Sequence, residues 1–454
     1  MTIDPVPDVV VVGGGLAGIA AAIRAADEGA AVTLFEHAPR LGGATWSFEH
    51  DGLTYDNGQH VFMRCCTEYR ALLDRIGSSG DVELQDRMEV VVRSPDGVVD
   101  SLHRVKLPAP LHLAPSLATY RHLRLVDRLR AARTAFALRR LDPADPTLDE
   151  RSFGEWLGAR HTSEQALSAL WDLVCLPTVN LHARDASLAL ATKVFRTGLL
   201  DRADGADIGW SRVPLQRLHG DAAARTLRDL RVDVRTRTRV ESVTSDERGP
   251  RLTVSGEEVH ARAVVVALPH DVVGRVLPRE AFDTAVDLGR LERSAIVNVH
   301  LLYDRVVMEE PFFAGLHSPV QFAFDRTSSS GAPAGHQMVA ISLSAADEHL
   351  PSSRHELTTL MGDELCRLLP AARTAEVVSS MVTRDPVATF RGGPRTAAHR
   401  PGTATHLPGV FLAGAWTDTG WPATMEGAVR SGVAAAQAAR RHLAADHTPR
   451  GAAA

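Results

Sequence analysis

Residues 9–18 read Val-Val-Val-Val-Gly-Gly-Gly-Leu-Ala-Gly, and this stretch decides the fold. Four consecutive β-branched residues are typical of a strand buried in a parallel sheet. An alanine-rich helical stretch, Ile19 to Asp27, follows, and Ala31 to Phe35 is a second predicted strand that ends at Glu36. The glycines therefore lie between a strand and a helix, with an acid about 20 residues farther on. This context predicts a dinucleotide-binding site.

Each residue type in this pattern has a physical task. Gly13 permits the tight turn, Gly15 lets the backbone approach a pyrophosphate at the positive end of the helix, and Gly18 allows close packing of helix on strand. Glu36 can accept hydrogen bonds from a ribose 2′-hydroxyl. The same carboxylate disfavours a 2′-phosphate, which argues against NADP in this position.

Composition narrows the class of protein. The 454 residues include 50 basic and 55 acidic ones, a net charge of -5 that argues against a dedicated nucleic-acid binder. Only Lys106 and Lys193 are lysines, so nearly all the basic residues are arginines. The four cysteines show neither a Cys-x-x-Cys pair nor zinc-type spacing, and we predict no metal site. Adjacent Cys65 and Cys66 are either redox-active or simply buried.

Localisation follows from the same sequence. Met1 to Pro7 lacks the basic start of a signal peptide, and the longest apolar run, Val9 to Ile23, is shorter than a membrane span and rich in glycine. We expect a cytoplasmic protein in a reducing compartment, with peripheral contact to the inner face of the membrane as an option.

Two further elements carry chemistry. Pro39 to Gly43 continues from Glu36 with an arginine and two glycines, which suits an anionic or flat ligand, and Asp56 to His60 follows. Near the other end, a predicted strand ends at Gly414, and a polar and aromatic loop leads to a helix that opens near Thr424. The first amides of that helix can face an anion or the oxygens of a ligand.

These elements, together with Trp171 to Asn180, resemble the superfamily of FAD-dependent amine oxidases and carotenoid desaturases. Within it they are similar to the squalene-associated FAD-dependent desaturases, a group that includes hydroxysqualene dehydroxylases. The resemblance implies FAD as cofactor and a long apolar isoprenoid as substrate. The cofactor-binding residues that it implies are Gly13, Gly15, Leu16, Ala17, Gly18, Glu36, His37, Arg40, Gly42, Gly43, Gly58, Gln59, His60, Val240, Gly414, Asp418, Trp421, Ala423, Thr424, Met425 and Glu426.

Two residues depart from the pattern of the group. Ala44 stands where the family usually has an arginine, and Ala415 stands where it has an acid that holds the ribityl-phosphate region. Losing one charged hydrogen bond costs about 1.5–3 kcal/mol. We therefore expect either weakened FAD binding or substitution by Asp418.

The expected fold class is α/β: a Rossmann-like FAD-binding domain with an inserted substrate domain of mixed sheet plus helices. We predict the FAD-binding domain at 1–105, 205–290 and 385–445, a helical substrate region at 106–204, a substrate-domain sheet at 291–384, and a disordered tail at 446–454. Later strands near Val232–Val234, Val264–Val266 and Val410–Leu412 are predicted to return to the first domain.

The reaction implied by the resemblance is reductive removal of an allylic hydroxyl from hydroxysqualene. Asp56, His60 and Asp418 are the candidate catalytic residues, although Asp56 also fits a turn and His60 a packed ring; Asn180 is a candidate to orient the hydroxyl. Isoprenoid desaturation is an alternative. An amine oxidase is disfavoured, because the C-terminal loop has Trp416 and Trp421 but no tyrosine. A third interpretation of the sequence is an isoprenoid-binding protein whose flavin binding is weakened.

The segment 111–141 is predicted as a basic amphipathic helix. It holds seven arginines and one acid, Asp127, and Tyr120, Leu123, Val126 and Leu129 recur every three residues. Contact with anionic lipid headgroups and an ordinary surface helix both fit this pattern. The sequence leaves the oligomeric state open.

Overall fold

The structure is a computed structural model that describes residues 6–446. Its strands are β1 Val9–Val12, β2 Val32–Phe35, β3 Ser47–His50, β4 Leu53–Asp56, β5 Val61–Met63, β6 Val82–Leu84, β7 Glu89–Arg93, β8 Val99–His103, β9 Ile208–Ser211, β10 Asp233–Arg235, β11 Val240–Asp246, β12 Gly249–Val254, β13 Glu257–His260, β14 Ala263–Val266, β15 Ser294–Tyr303, β16 Phe312–Gly315, β17 Phe322–Asp325, β18 Gln337–Ser344, β19 Val377–Thr389 and β20 Val410–Leu412.

Helices lie between several of these strands. They are α1 Leu16–Asp27, α2 Thr67–Arg75, α3 Ala114–Thr119, α4 Leu125–Arg139, α5 Phe153–Gly158, α6 Glu164–Ala166, α7 Asp172–Val179, α8 Leu188–Phe195, α9 Ala222–Asp229, α10 His270–Val276, α11 Thr327–Ser330, α12 Arg354–Leu368 and α13 Met425–Asp446. Short 3₁₀ and π segments extend several of them, as at Leu167–Trp171.

The valine run forms β1 at the centre of a parallel five-stranded sheet, in the order β10-β2-β1-β14-β20. All four residues of β1 are buried, because the sheet is covered on both faces. Helices α1 and α13 pack together on one of these faces. The predicted α/β class with a Rossmann-like domain is confirmed, and the three predicted later strands all lie in this sheet.

A second, seven-stranded sheet has the order β19-β15-β18-β17-β16-β7-β8. Its core is covered by α12. Strands β7 and β8 come from a segment that we assigned to the cofactor domain, and they join the sheet because β7 pairs with β16 in parallel. The predicted boundary at residue 105 therefore falls after two strands of the second sheet rather than before them.

The segment 111–141 differs from the single helix that we predicted. A 3₁₀ turn at Leu111–Leu113 leads into α3, the chain then breaks, and α4 begins at Leu125. The break arises from tertiary packing: Tyr120 and Leu123 are buried in a small apolar cluster, and the Tyr120 hydroxyl donates to the Ala169 carbonyl.

Two smaller findings concern the loops and the ends. The serine-rich segment 328–335 begins inside the short helix α11, whose first amide donates to the Asp325 carboxylate. The predicted tail, 446–454, lies outside the described residues apart from the backbone of Asp446. Among residues 6–446, no helix combines the length and apolar character needed to cross a bilayer.

Candidate active site

The turn between β1 and α1 is shaped for an anion. Gly13 has a φ of +105°, and a Cβ on Gly18 would lie 1.8 Å from the Gly13 carbonyl oxygen, so larger residues are excluded at both positions. Helix α1 begins after Gly15 with no side-chain cap and no acidic residue in its first turn. The amides of Leu16 and Ala17 at this positive helix end remain available for a phosphate.

Glu36 lies at the end of β2, directly beside this turn. Its carboxylate accepts hydrogen bonds from the backbone amides of Gly14, at 2.6 Å, and Ala38, at 2.7 Å, and contacts the His37 ring. The backbone carbonyl of Glu36 accepts from the amide of Thr238, which brings the start of β11 at Val240 close to it. This geometry fixes an acceptor where the sequence predicts a ribose.

The arginine-glycine-glycine element closes over the same turn. The Gly42 amide donates to the Gly14 carbonyl at 2.9 Å, and the Arg40 guanidinium donates to the Gly43 carbonyl and lies 4.0 Å above the Trp46 ring. Burial lowers the pKa of Arg40 and the Glu36 carboxylate raises it, but a guanidinium stays charged at neutral pH. The element thus adds a cation to the anion-binding turn.

Asp56 ends β4 in a saturated, buried position. One carboxylate oxygen accepts from the Ser47 hydroxyl and from the Leu215 amide at 2.9 Å. The other accepts from the Arg326 guanidinium at 2.7 Å, and Asp56 and Arg326 are 6% and 7% exposed. The Asp56 carboxylate is therefore engaged by three hydrogen-bond donors, one of them a guanidinium.

The next residues form a polar wall beside this ion pair. Burial lowers the pKa of His60, and the Asp56 carboxylate opposes that shift, so the imidazole is neutral at pH 7. The side-chain nitrogen of Gln59 is buried and has no hydrogen-bond partner among the described residues. A narrow cavity adjoins both residues. Its walls include Asp56, Gln59, His60, Trp210, Phe324 and Arg326.

The C-terminal loop is held from behind by Arg400, a residue that our reading of the sequence missed. The guanidinium donates to the backbone carbonyls of Ala415, Trp416, Thr417 and Trp421. Burial lowers the pKa of Arg400 to about 10. Gly414, with a φ of +145°, turns the chain from β20 into this loop, and its amide donates to the Ser431 hydroxyl.

The rest of the loop leads into α13 at Met425. Thr424 caps the first turn through its hydroxyl, which accepts from the Gly427 amide, and Ala423 and Trp421 precede it. The Trp421 ring lies between two cations, 5.0 Å from the Lys193 nitrogen and 5.1 Å from the Arg430 guanidinium. Lys193, one of the two lysines in the sequence, thus reaches this loop.

Two predicted roles, those of Glu426 and Asn180, disagree with the geometry. Asp418 is exposed, and among the described residues its carboxylate accepts from the Gly420 amide within the same turn, so its catalytic role stays a prediction. The Glu426 carboxylate is buried and accepts from the amides of Glu68 and Tyr69, so it caps α2. Asn180 is engaged in backbone contacts, with its amide on the Ser294 carbonyl, and so does not orient a substrate.

Comparison with known proteins agrees with this geometry. Residues 16–440 match the model of a family described as flavin containing amine oxidoreductase. The chain belongs to this family. It is an FAD-dependent oxidoreductase, and the amide-lined turn, Glu36 and Arg40 fit the phosphates and ribose of FAD.

Relatives with two different named activities are similar to this chain. The chain is 25% identical to a zeta-carotene desaturase of Zea mays, over 93% of this chain and 82% of the relative. It is 27% identical to a hydroxysqualene dehydroxylase of Rhodopseudomonas palustris, over 94% of this chain and 96% of the relative. The solved structure of cyclohexylamine oxidase from Brevibacterium oxydans matches with a TM-score of 0.74 at 19% identity, covering 97% and 100% of the two chains. That likeness shows the fold.

Proposed function

We propose that this oxidoreductase reductively removes the allylic hydroxyl of hydroxysqualene and releases squalene and water. The observation that carries the proposal is the polar wall of the narrow cavity, where a buried Gln59 amide faces no partner among the described residues and His60 lies beside it. Leaving a buried polar group unsatisfied costs about 1–3 kcal/mol. A hydroxyl would satisfy such a group, whereas a pure hydrocarbon would not.

The chain's own groups would bind and orient the alcohol. His60 would first take up a proton from solvent, which the Asp56 carboxylate favours and which burial and Arg326 oppose. The protonated imidazole would then donate a hydrogen bond to the hydroxyl and transfer its proton as the C–O bond breaks, so that the oxygen leaves as water and His60 returns to its neutral form. When bound and reduced, FAD supplies the hydride that forms the new C–H bond.

Squalene formation tests the proposal. FAD-loaded protein, reduced with dithionite under anaerobic conditions and incubated with hydroxysqualene, should produce squalene measurable by gas chromatography. H60F should lower kcat by about a hundredfold or more, because a positioned proton donor contributes 10²–10⁴-fold in rate. H50Q, on an exposed histidine, serves as matched control. No squalene from flavin-loaded wild-type protein would overturn the proposal.

Desaturation of a long isoprenoid is the second candidate, supported by the zeta-carotene desaturase relatives. In that reaction, hydride would move from the substrate to oxidised flavin. Anaerobic mixing with a carotenoid polyene separates the two directions. Bleaching of the oxidised flavin absorbance by the polyene, with no squalene formed from hydroxysqualene, would favour desaturation.

A further inference from the structure

Helix α4 exposes a row of large apolar side chains. Leu125 is 67% exposed, Leu129 57% and Phe136 47%. At 100° per residue, these three lie within about 40° of one another around the helix axis. On the opposite side, Asp127, Ala131, Thr134 and Leu138 are buried against the protein. The apolar row therefore points directly away from the protein.

Arginines flank this row on the outer face. Arg140 and Arg133 lie about 20° and 40° beyond the Leu129 edge of this row. Both are exposed, and neither has an acidic group within 4 Å among the described residues. Arg121, which is exposed, adds positive charge shortly before the start of the helix. The one acid in the segment, Asp127, is turned inward and paired with Arg124. We call the exposed surface of this helix the α4 face. It consists of Leu125, Leu129, Phe136, Arg133 and Arg140.

We propose that the α4 face docks the protein on a bilayer that contains anionic lipid. Leucine and phenylalanine side chains would enter the boundary between headgroups and acyl chains, and the arginines would pair with lipid phosphates. Charge complementarity indicates which partner binds the α4 face, because an apolar row beside arginines without acidic partners fits an anionic lipid surface. The sequence pattern of residues 111–141 was compatible both with lipid contact and with an ordinary surface helix. The apolar residues of that pattern included Tyr120 and Leu123, which are buried in the structure.

Vesicle flotation tests the docking without any isoprenoid, so its result is independent of the proposed reaction. FAD-loaded full-length protein would be mixed with vesicles of phosphatidylcholine and phosphatidylglycerol, or of phosphatidylcholine alone. We expect co-flotation with the anionic vesicles, reduced by high salt. L129S/F136S should lower the bound-to-free ratio by about tenfold or more. R133Q/R140Q should lower it by about thirtyfold on anionic vesicles only.

Two controls address surface changes in general. V306S removes an exposed apolar side chain, 57% exposed, that lies outside this helix, and R225Q/R228Q removes two exposed arginines from α9. Both should float like wild type. Failure of wild type to float, or equal flotation of L129S/F136S, would overturn the proposal. So would a lipid-free dimer that L129S/F136S converts to a monomer, since the α4 face would then be covered by a second copy of the chain.

Discussion

The buried carboxylate of Asp56 is neutralised by Arg326, which lies 270 positions later in the chain. Removing one partner of a buried ion pair leaves an uncompensated charge, which typically costs about 3–5 kcal/mol. R326M should therefore lower the free energy of unfolding by about this amount in a urea titration. D56N/R326M should recover part of the loss, and R184M, on an exposed ion pair, should leave the unfolding midpoint unchanged.

The same residues show the limit of prediction from sequence. Gly13, Gly15 and Glu36 could be predicted because the site they form is local, a strand and a helix joined by one turn. Arg326 and Arg400 could not, since neither stands in a recognisable motif, and Arg326 acts on a carboxylate 270 positions away. Asp56, a candidate catalytic residue from the sequence, forms one half of a buried ion pair that the sequence did not reveal.

Among the elements, α13 and α2 are joined by the carboxylate of Glu426. It accepts from the amides of Glu68 and Tyr69, the latter at 2.7 Å, and from the Arg430 guanidinium, and it is 1% exposed. E426A would leave two helix-end amides and an arginine unsatisfied, at a cost of about 3 kcal/mol. Chemical denaturation should show this loss.

S353A is the matched control for E426A. Ser353 caps α12 within a single helix through an exposed capping box, so its loss should cost only about 1 kcal/mol. If E426A and S353A destabilised the protein equally, Glu426 would be an ordinary cap and not a tie between two helices. Helix ends of this kind depend on tertiary contacts. For the same reason the sequence pattern did not predict the break within residues 111–141, although it did predict the buried strands.

At the scale of the whole molecule, the parallel sheet gathers strands from both ends and the middle of the chain. Continuous apolar runs predicted β14 and β20 well, because a strand covered on both faces needs no alternation. Pairing order leaves no such mark in the sequence. The addition of β7 and β8 to the second sheet therefore became visible only in the fold, and with it the Arg326 contact that reaches from that sheet back to Asp56.

Folding also buries neutral histidines, which makes stability depend on pH. Burial lowers the pKa of His300 to about 4 and that of His219 to about 3. In the unfolded chain each histidine takes up a proton near pH 6.5, whereas in the folded protein it stays neutral to a lower pH. The free energy of unfolding is therefore unaffected by these histidines above pH 6.5, and it decreases as the pH falls from 6.5 toward the pKa of the folded protein. At pH 5.0, each of these two histidines should have lowered the free energy of unfolding by about 2 kcal/mol.

Urea unfolding at pH 7.5 and 5.0 measures this loss, and H300F isolates one histidine. Phenylalanine keeps the aromatic packing against Tyr55, at 5.4 Å between ring centroids, but carries no titratable group. The variant should therefore lose about 2 kcal/mol less than wild type between the two pH values. H50Q, at an exposed site, should lose as much as wild type. Equal losses in H300F and wild type would mean that His300 is protonated in the folded protein at pH 5.0, and its burial would not be the source of acid instability.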